Sequence, residues 1–164
     1  MPLRIEIPGR NPLNLYHLVS DLNGTLALDG ALLEGVASRM AQLARHFEIH
    51  LLTADTYGTL DTVMQELATA CAAVRTPAPG YAHVASGVEK ERYVQRLGAE
   101  RVVVLGNGAN DVRMFDAAAL SIGILGPEGS FGKALQSADI VVTSVLDALD
   151  LFLHPRRLIA TLRL

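Results

Sequence analysis

VSDLNGTLALDG, residues 19–30, is the stretch that decides the fold. The apolar pair Leu18-Val19 leads into Asp21, and the polar turn Asn23-Gly24-Thr25 follows at once. A buried parallel strand presents its chemistry in this way, with the functional group at the carboxyl end. Asp21 reads as a nucleophile or a metal ligand. Two residues on, where a second carboxylate would act as acid and base, stands Asn23.

Upstream, residues 3–7 alternate apolar and polar as a half-buried strand does. PGRNP then turns the chain, and 13–22 read as a second strand. The start is therefore expected to be an N-terminal β-hairpin feeding a central strand. Downstream, Leu33, Val36, Met40, Leu43 and Ala44 keep helical spacing, and Ile49 to Leu52 form a short buried strand that stops at Thr53. A helix over 59–70, a strand over 72–74, the loop TPAPG and a short strand at Val84 come next. Ser86 is placed to cap a helix over 87–97, which Gly98 ends. RVVVLG, residues 101–106, is the clearest buried strand. A helix over 109–118, a strand over 121–125, a helix over 130–137 and a strand over 140–142 complete the alternation. The tail, 145–163, is helical with a break at Pro155. This order predicts an α/β fold, a doubly wound Rossmann-like parallel sheet, in a single domain spanning 1–164.

Composition narrows the function. Half of the 164 residues are hydrophobic, enough for a sizeable core. The net charge of -3 gives no reason to expect nucleic acid as a partner. No apolar run approaches the roughly 18 residues of a membrane span, and no basic start precedes an apolar segment. A cytoplasmic protein with no membrane partner is expected. Cys71, the single cysteine, reads as a buried structural thiol. Lys90 and Lys133 are the only lysines, so a lysine at a telling position carries weight.

The ends of the predicted strands gather the chemistry: Asp21, then Thr53-Ala54-Asp55, then Gly106-Asn107-Gly108-Ala109-Asn110-Asp111. Lys90 lies just inside the helix before the last of these. In this order the pieces resemble the haloacid dehalogenase (HAD) superfamily of phosphatases and phosphoryl-transfer enzymes. DLNGTL is similar to its first motif, DxDGT, and LLTAD to its second. Lys90 in GVEKERYV matches the third, and GNGANDVRMF the fourth, GDGxND. The resemblance covers about residues 15–145 and is nearest to small soluble proteins like P-type ATPases without their membrane domains.

The resemblance implies roles. Asp21 would be the nucleophile that forms an aspartyl phosphate. Leu22, Asn23, Gly24 and Ala54 would wrap the phosphoryl group with backbone, while Thr53, Lys90 and Asn110 contact or neutralise it. Mg²⁺ would be held by Asp21, the Asn23 carbonyl, Asn107 and Asp111. Two departures stand out. Asn23 replaces the acid and base, help typically worth ~10²–10⁴-fold. Asn107 replaces a carboxylate metal ligand with an uncharged amide. A slow phosphatase acting on a phosphorylated substrate is expected. The alternative is a non-catalytic phosphate-binding or phospho-acceptor protein that keeps the site.

Asp55 is a substitute acid or, on simpler grounds, the cap of the next helix. The five histidines show no metal-ligand spacing and read as surface or strand residues. The apolar tail stripe reads as core, with part of it free to form a dimer face. The gaps between Leu26, Thr53 and Lys90 leave no room for a cap domain. An open cleft is implied, and a homo-oligomer is the expected cover.

Overall fold

The computed structural model describes residues 1–164. The chain opens with β1 (Leu3–Ile5) and β2 (Leu13–Leu15), an antiparallel pair that forms a small sheet of its own. The predicted strand over 13–22 is in fact two strands, β2 and β3 (His17–Asp21), parted at Tyr16. The Tyr16 N–H donates to the Arg101 carbonyl at 2.9 Å, and its own carbonyl accepts from Glu48 N–H at 2.9 Å. One apolar run thus serves two sheets.

Next come β4 (Ala27–Leu28), β5 (Ala31–Leu32), α1 (Val36–Leu43), β6 (Glu48–Thr53), α2 (Leu60–Ala73), β7 (Gly80–His83) and α3 (Gly87–Leu97). They are followed by β8 (Val102–Gly106), α4 (Val112–Ala117), β9 (Leu120–Ile124), α5 (Gly132–Ser137), β10 (Ile140–Val142), α6 (Val145–Leu153) and α7 (Pro155–Leu162). Residues 72–74 are not a strand. The Ala-rich helix α2 runs through Ala73, and Val74, Arg75 and Thr76 donate back to its last carbonyls. The short strand expected at Val84 is β7, which ends one residue earlier and whose side chains are mostly exposed. An edge strand needs no apolar run, so Val84 is its main sequence signal.

Six strands pair in the order β7-β6-β3-β8-β9-β10, and every pairing is parallel. In chain order this is the 3-2-1-4-5-6 winding, which reverses direction between β3 and β8. Leu18, Leu51, Val103 and Leu105 point to one face, into a core shared with α1, α2, α6 and α7. Val19, Leu52, Val102 and Val104 point to the other, under α3 and α4. All five residues of β8 are buried. A fully buried leucine or valine contributes about 1.5–3 kcal/mol, so this central strand is firmly held. Leu149, Phe152, Leu158 and Leu162 of the tail lie within the larger core. No helix is long and apolar enough to cross a membrane.

Candidate active site

The reversal point puts the carboxyl ends of β3 and β8 side by side, and Asp21 stands there. The turn after it closes on itself. Leu26 N–H and Ala27 N–H both donate to the Leu22 carbonyl at 2.9 Å, and Gly24 N–H donates to the Ala27 carbonyl at 2.8 Å. The Gly24 amide, expected in the phosphate cradle, is therefore engaged within the turn. Gly24 has φ 78°, and a Cβ there would lie 2.8 Å from Asn107 Nδ2 and 2.6 Å from Glu128 Oε2. Only glycine permits this approach. The N–H groups of Asn23 and Ala54, by contrast, donate to no backbone acceptor in the protein.

Lys90 is the best-fixed side chain of the set. It lies in the first turn of α3, which Ser86 and Glu89 close with a reciprocal capping box. The lysine is 1% exposed, and its Nζ donates to Asp21 Oδ1 at 2.9 Å and to Asp111 Oδ1 at 2.7 Å. Asp111 is fully buried, and its Oδ2 accepts from Asn107 N–H at 3.0 Å and Gly108 N–H at 2.9 Å. A Cβ at Gly106 would stand 2.5 Å from that oxygen. Asp111, expected as a metal ligand, sits behind Lys90 with both oxygens bonded internally.

One ammonium faces two carboxylates. Burial pulls Lys90 down, yet Asp21 and Asp111 outweigh it and hold the ammonium above its ordinary value. Asp21 bears the deficit. Burial, then the negative charge of Asp111, push it up to about 6 against the pull of Lys90.

The cleft, about 250 Å³, is lined by Asp21, Asn23, Thr53, Ala54, Lys90, Asn107 and Asn110 among others. Thr53 Oγ1 accepts from Asp55 N–H at 2.8 Å, which leaves its proton free to donate. Asp55 Oδ1 accepts from Thr59 N–H at 3.0 Å and Leu60 N–H at 3.1 Å, so this residue caps α2. Asn107 is anchored through its carbonyl, which accepts from Phe131 N–H at 2.8 Å, and through Nδ2, which donates to the Gly129 carbonyl at 3.0 Å. Asn110 Nδ2 reaches the Ala85 carbonyl at 3.4 Å on the cleft lip.

Two residues given no role in the sequence bear on the site. Thr25 Oγ1 lies 3.5 Å from Asp21 Oδ2 and 3.4 Å from Asn107 Oδ1, one proton between two acceptors. Glu128, in the loop after β9, brings a further carboxylate to the cleft. Thr25 closes the DLNGT of the first motif, whereas Glu128 belongs to no motif. The GPEG turn around Glu128 is its only sequence signal.

Oxygen is left over here. Asn23 Oδ1 is buried with no partner, and Thr25 serves Asp21 Oδ2 and Asn107 Oδ1 only weakly. A set of under-satisfied oxygens with one formal charge suits a hard divalent cation that keeps several waters.

A 3-2-1-4-5-6 parallel sheet with this aspartate and lysine at its reversal point defines the class: the fold is that of the HAD hydrolases. The structure matches a protein named as a HAD family hydrolase from Streptomyces avermitilis with TM-score 0.63 and 15% identity, over 84% of this chain and 90% of that one. It matches 3-deoxy-D-manno-octulosonate 8-phosphate phosphatase from Moraxella catarrhalis, solved with magnesium and phosphate ions, with TM-score 0.62 and 13% identity, over 91% and 94%. Both are likenesses of fold. No protein-family model matches the chain. The chain belongs to the same family as the uncharacterized protein MJ0073 of Methanocaldococcus jannaschii, 44% identical over 64 residues that cover 39% of this chain and 69% of that protein.

Proposed function

We propose that this chain is a slow, Mg²⁺-dependent phosphohydrolase that works through an aspartyl phosphate on Asp21. The observation that supports it best is the buried Lys90, held 2.9 Å from Asp21 Oδ1 at the sheet's reversal point. That contact fixes one carboxylate oxygen and leaves Oδ2, which has only a 3.5 Å contact with Thr25 Oγ1, to attack phosphorus. As the new P–O bond forms, the bond to the leaving group breaks. The Asn23 and Ala54 N–H groups, Thr53 Oγ1 and Asn110 Nδ2 are the donors for the phosphoryl oxygens, and Lys90 offsets the developing charge. Asp21, the Asn23 carbonyl and the Asn107 side chain would hold Mg²⁺, which supplies charge stabilisation to the phosphoryl oxygens.

Asn23 has no proton to give or take. We assign that task to Glu128, which would protonate the leaving oxygen. It would then accept a proton from the water that attacks phosphorus and frees Asp21. The test is turnover of an aryl phosphate with and without Mg²⁺, beside borohydride trapping of the intermediate. Wild type should turn over only with the metal, and the trap should mark Asp21 alone. Trapping without turnover would favour the phospho-acceptor reading, which the paired asparagines make the serious alternative. Turnover that survives Asp21→Asn would overturn both.

A further inference from the structure

The opposite end of the same two strands carries a second cluster. His17 opens β3, Glu48 opens β6, and the register pairs them directly. His50 follows Glu48 by two, so it returns to the same face of the sheet. His17 Nδ1 lies 3.2 Å from His50 Nε2 and 3.3 Å from Glu48 Oε2, and the three donor atoms all fall within 4.8 Å of one another. An ion with four tetrahedral arms of 2.0–2.1 Å separates its ligands by about 3.3 Å. Two edges of this triangle already have that length.

Proton counting points the same way. The His50 Nδ1 atom is 2.9 Å from the Tyr93 hydroxyl. When that nitrogen carries the ring proton and donates to Tyr93, Nε2 presents only a lone pair. His17 Nδ1 then has at most one proton for two acceptors, His50 and Glu48. A cation at the centre satisfies all three, and Tyr93 orients its ligand as outer partners of metal-bound histidines do. Access is open. Glu48 and His50 line a cavity of about 560 Å³, and His17 and Glu48 line a neighbouring one of about 260 Å³.

We propose that His17, Glu48 and His50 form a zinc site with a water in the fourth position, at the amino-terminal ends of β3 and β6. Two imidazoles and one carboxylate select zinc over magnesium, the reverse of the all-oxygen cleft. The ion pins the entry of the two strands whose far ends carry Asp21 and Thr53. It also holds Tyr93, one turn beyond Lys90 on α3.

The experiment is a Zn²⁺ titration of the full chain against a chromophoric chelator, in excess Mg²⁺ to occupy the cleft. Wild type and Asp21→Asn should each retain one zinc per chain. His17→Gln and His50→Gln should lose it, and Tyr93→Phe should bind about 10- to 100-fold more weakly. Should His50→Gln fail to fold, Glu48→Gln takes its place, because that side chain is 70% exposed. Co²⁺ should give the visible bands of a tetrahedral site in wild type and not in His17→Gln. No retained zinc, or a zinc that survives these substitutions, overturns the proposal. Because Asp21→Asn serves as a positive control, failure here is separate from failure of the phosphohydrolase reading.

Discussion

At the scale of single residues, the site places two carboxylates and one ammonium where water is scarce. Asp21 sits at about 6 against an ordinary 3.8, chiefly through burial. Between the ordinary value and about 6, the folded chain thus holds a proton there that the unfolded chain releases. Its contribution to stability is full below the ordinary value and is lost as pH rises through about 6. Asp21→Asn keeps an oxygen for Lys90 and removes the excess charge. We predict that it abolishes turnover yet stabilises the protein by about 1–3 kcal/mol at neutral pH. The gain should shrink as pH falls towards 4, roughly the unfolded pKa of a carboxylate. Melting curves across that range check this, and a loss of stability at neutral pH contradicts it. A second pair of substitutions tests the proton path. Asn23→Asp should raise kcat with little change in KM, because its carboxyl acts in the transition state. Glu128→Gln should lower kcat by about 10²-fold or more. If the first has no effect and the second none either, proton transfer runs through water alone.

Among the elements, α3 has the most to position, since Lys90 and Tyr93 both depend on it. Its register is set by Ser86, whose hydroxyl accepts from Glu89 N–H while the Glu89 carboxylate accepts from Ser86 N–H at 3.0 Å. Ser86→Ala should cost about 1 kcal/mol and lower kcat by loosening Lys90. A stability loss with unchanged kcat would show that the two carboxylates hold the lysine without the cap. This helix was legible in the sequence because a cap and a closing glycine agree. β8 was legible as an unbroken apolar run. β7 was legible only as a short strand at Val84, one residue past its end, because an edge strand can expose Tyr81 and His83; β4 and β5 were not, being too short for any period to register. The four motif segments could be read because each is contiguous. Glu128 and the group of His17, Glu48 and His50 could not, because strand register and loop packing bring them together from distant positions.

For the molecule as a whole, the question is what covers the cleft. Only the short β4–β5 hairpin and α1 lie between β3 and β6, with no inserted domain to close over the cleft. Lys90 is sealed from solvent, but the mouth of the cleft is left wet, and water there screens the backbone donors that would face a phosphoryl group. The tail is not free to help, because the apolar faces of α6 and α7 are buried within the chain. Exposed apolar side chains do occur at the cleft end of the sheet. Tyr57 follows β6, Leu125 follows β9 and Phe131 precedes α5, and they are 47%, 45% and 45% exposed. We predict that a second copy covers this end, and that light scattering finds a dimer. Leu125→Asp with Phe131→Asp should yield a folded monomer with reduced kcat. A wild type that stays monomeric at every concentration, with and without a phosphate analogue, would exclude this cover. The open cleft would then suit a phosphorylated macromolecule that brings its own lid, and turnover should favour phosphoproteins over aryl phosphates.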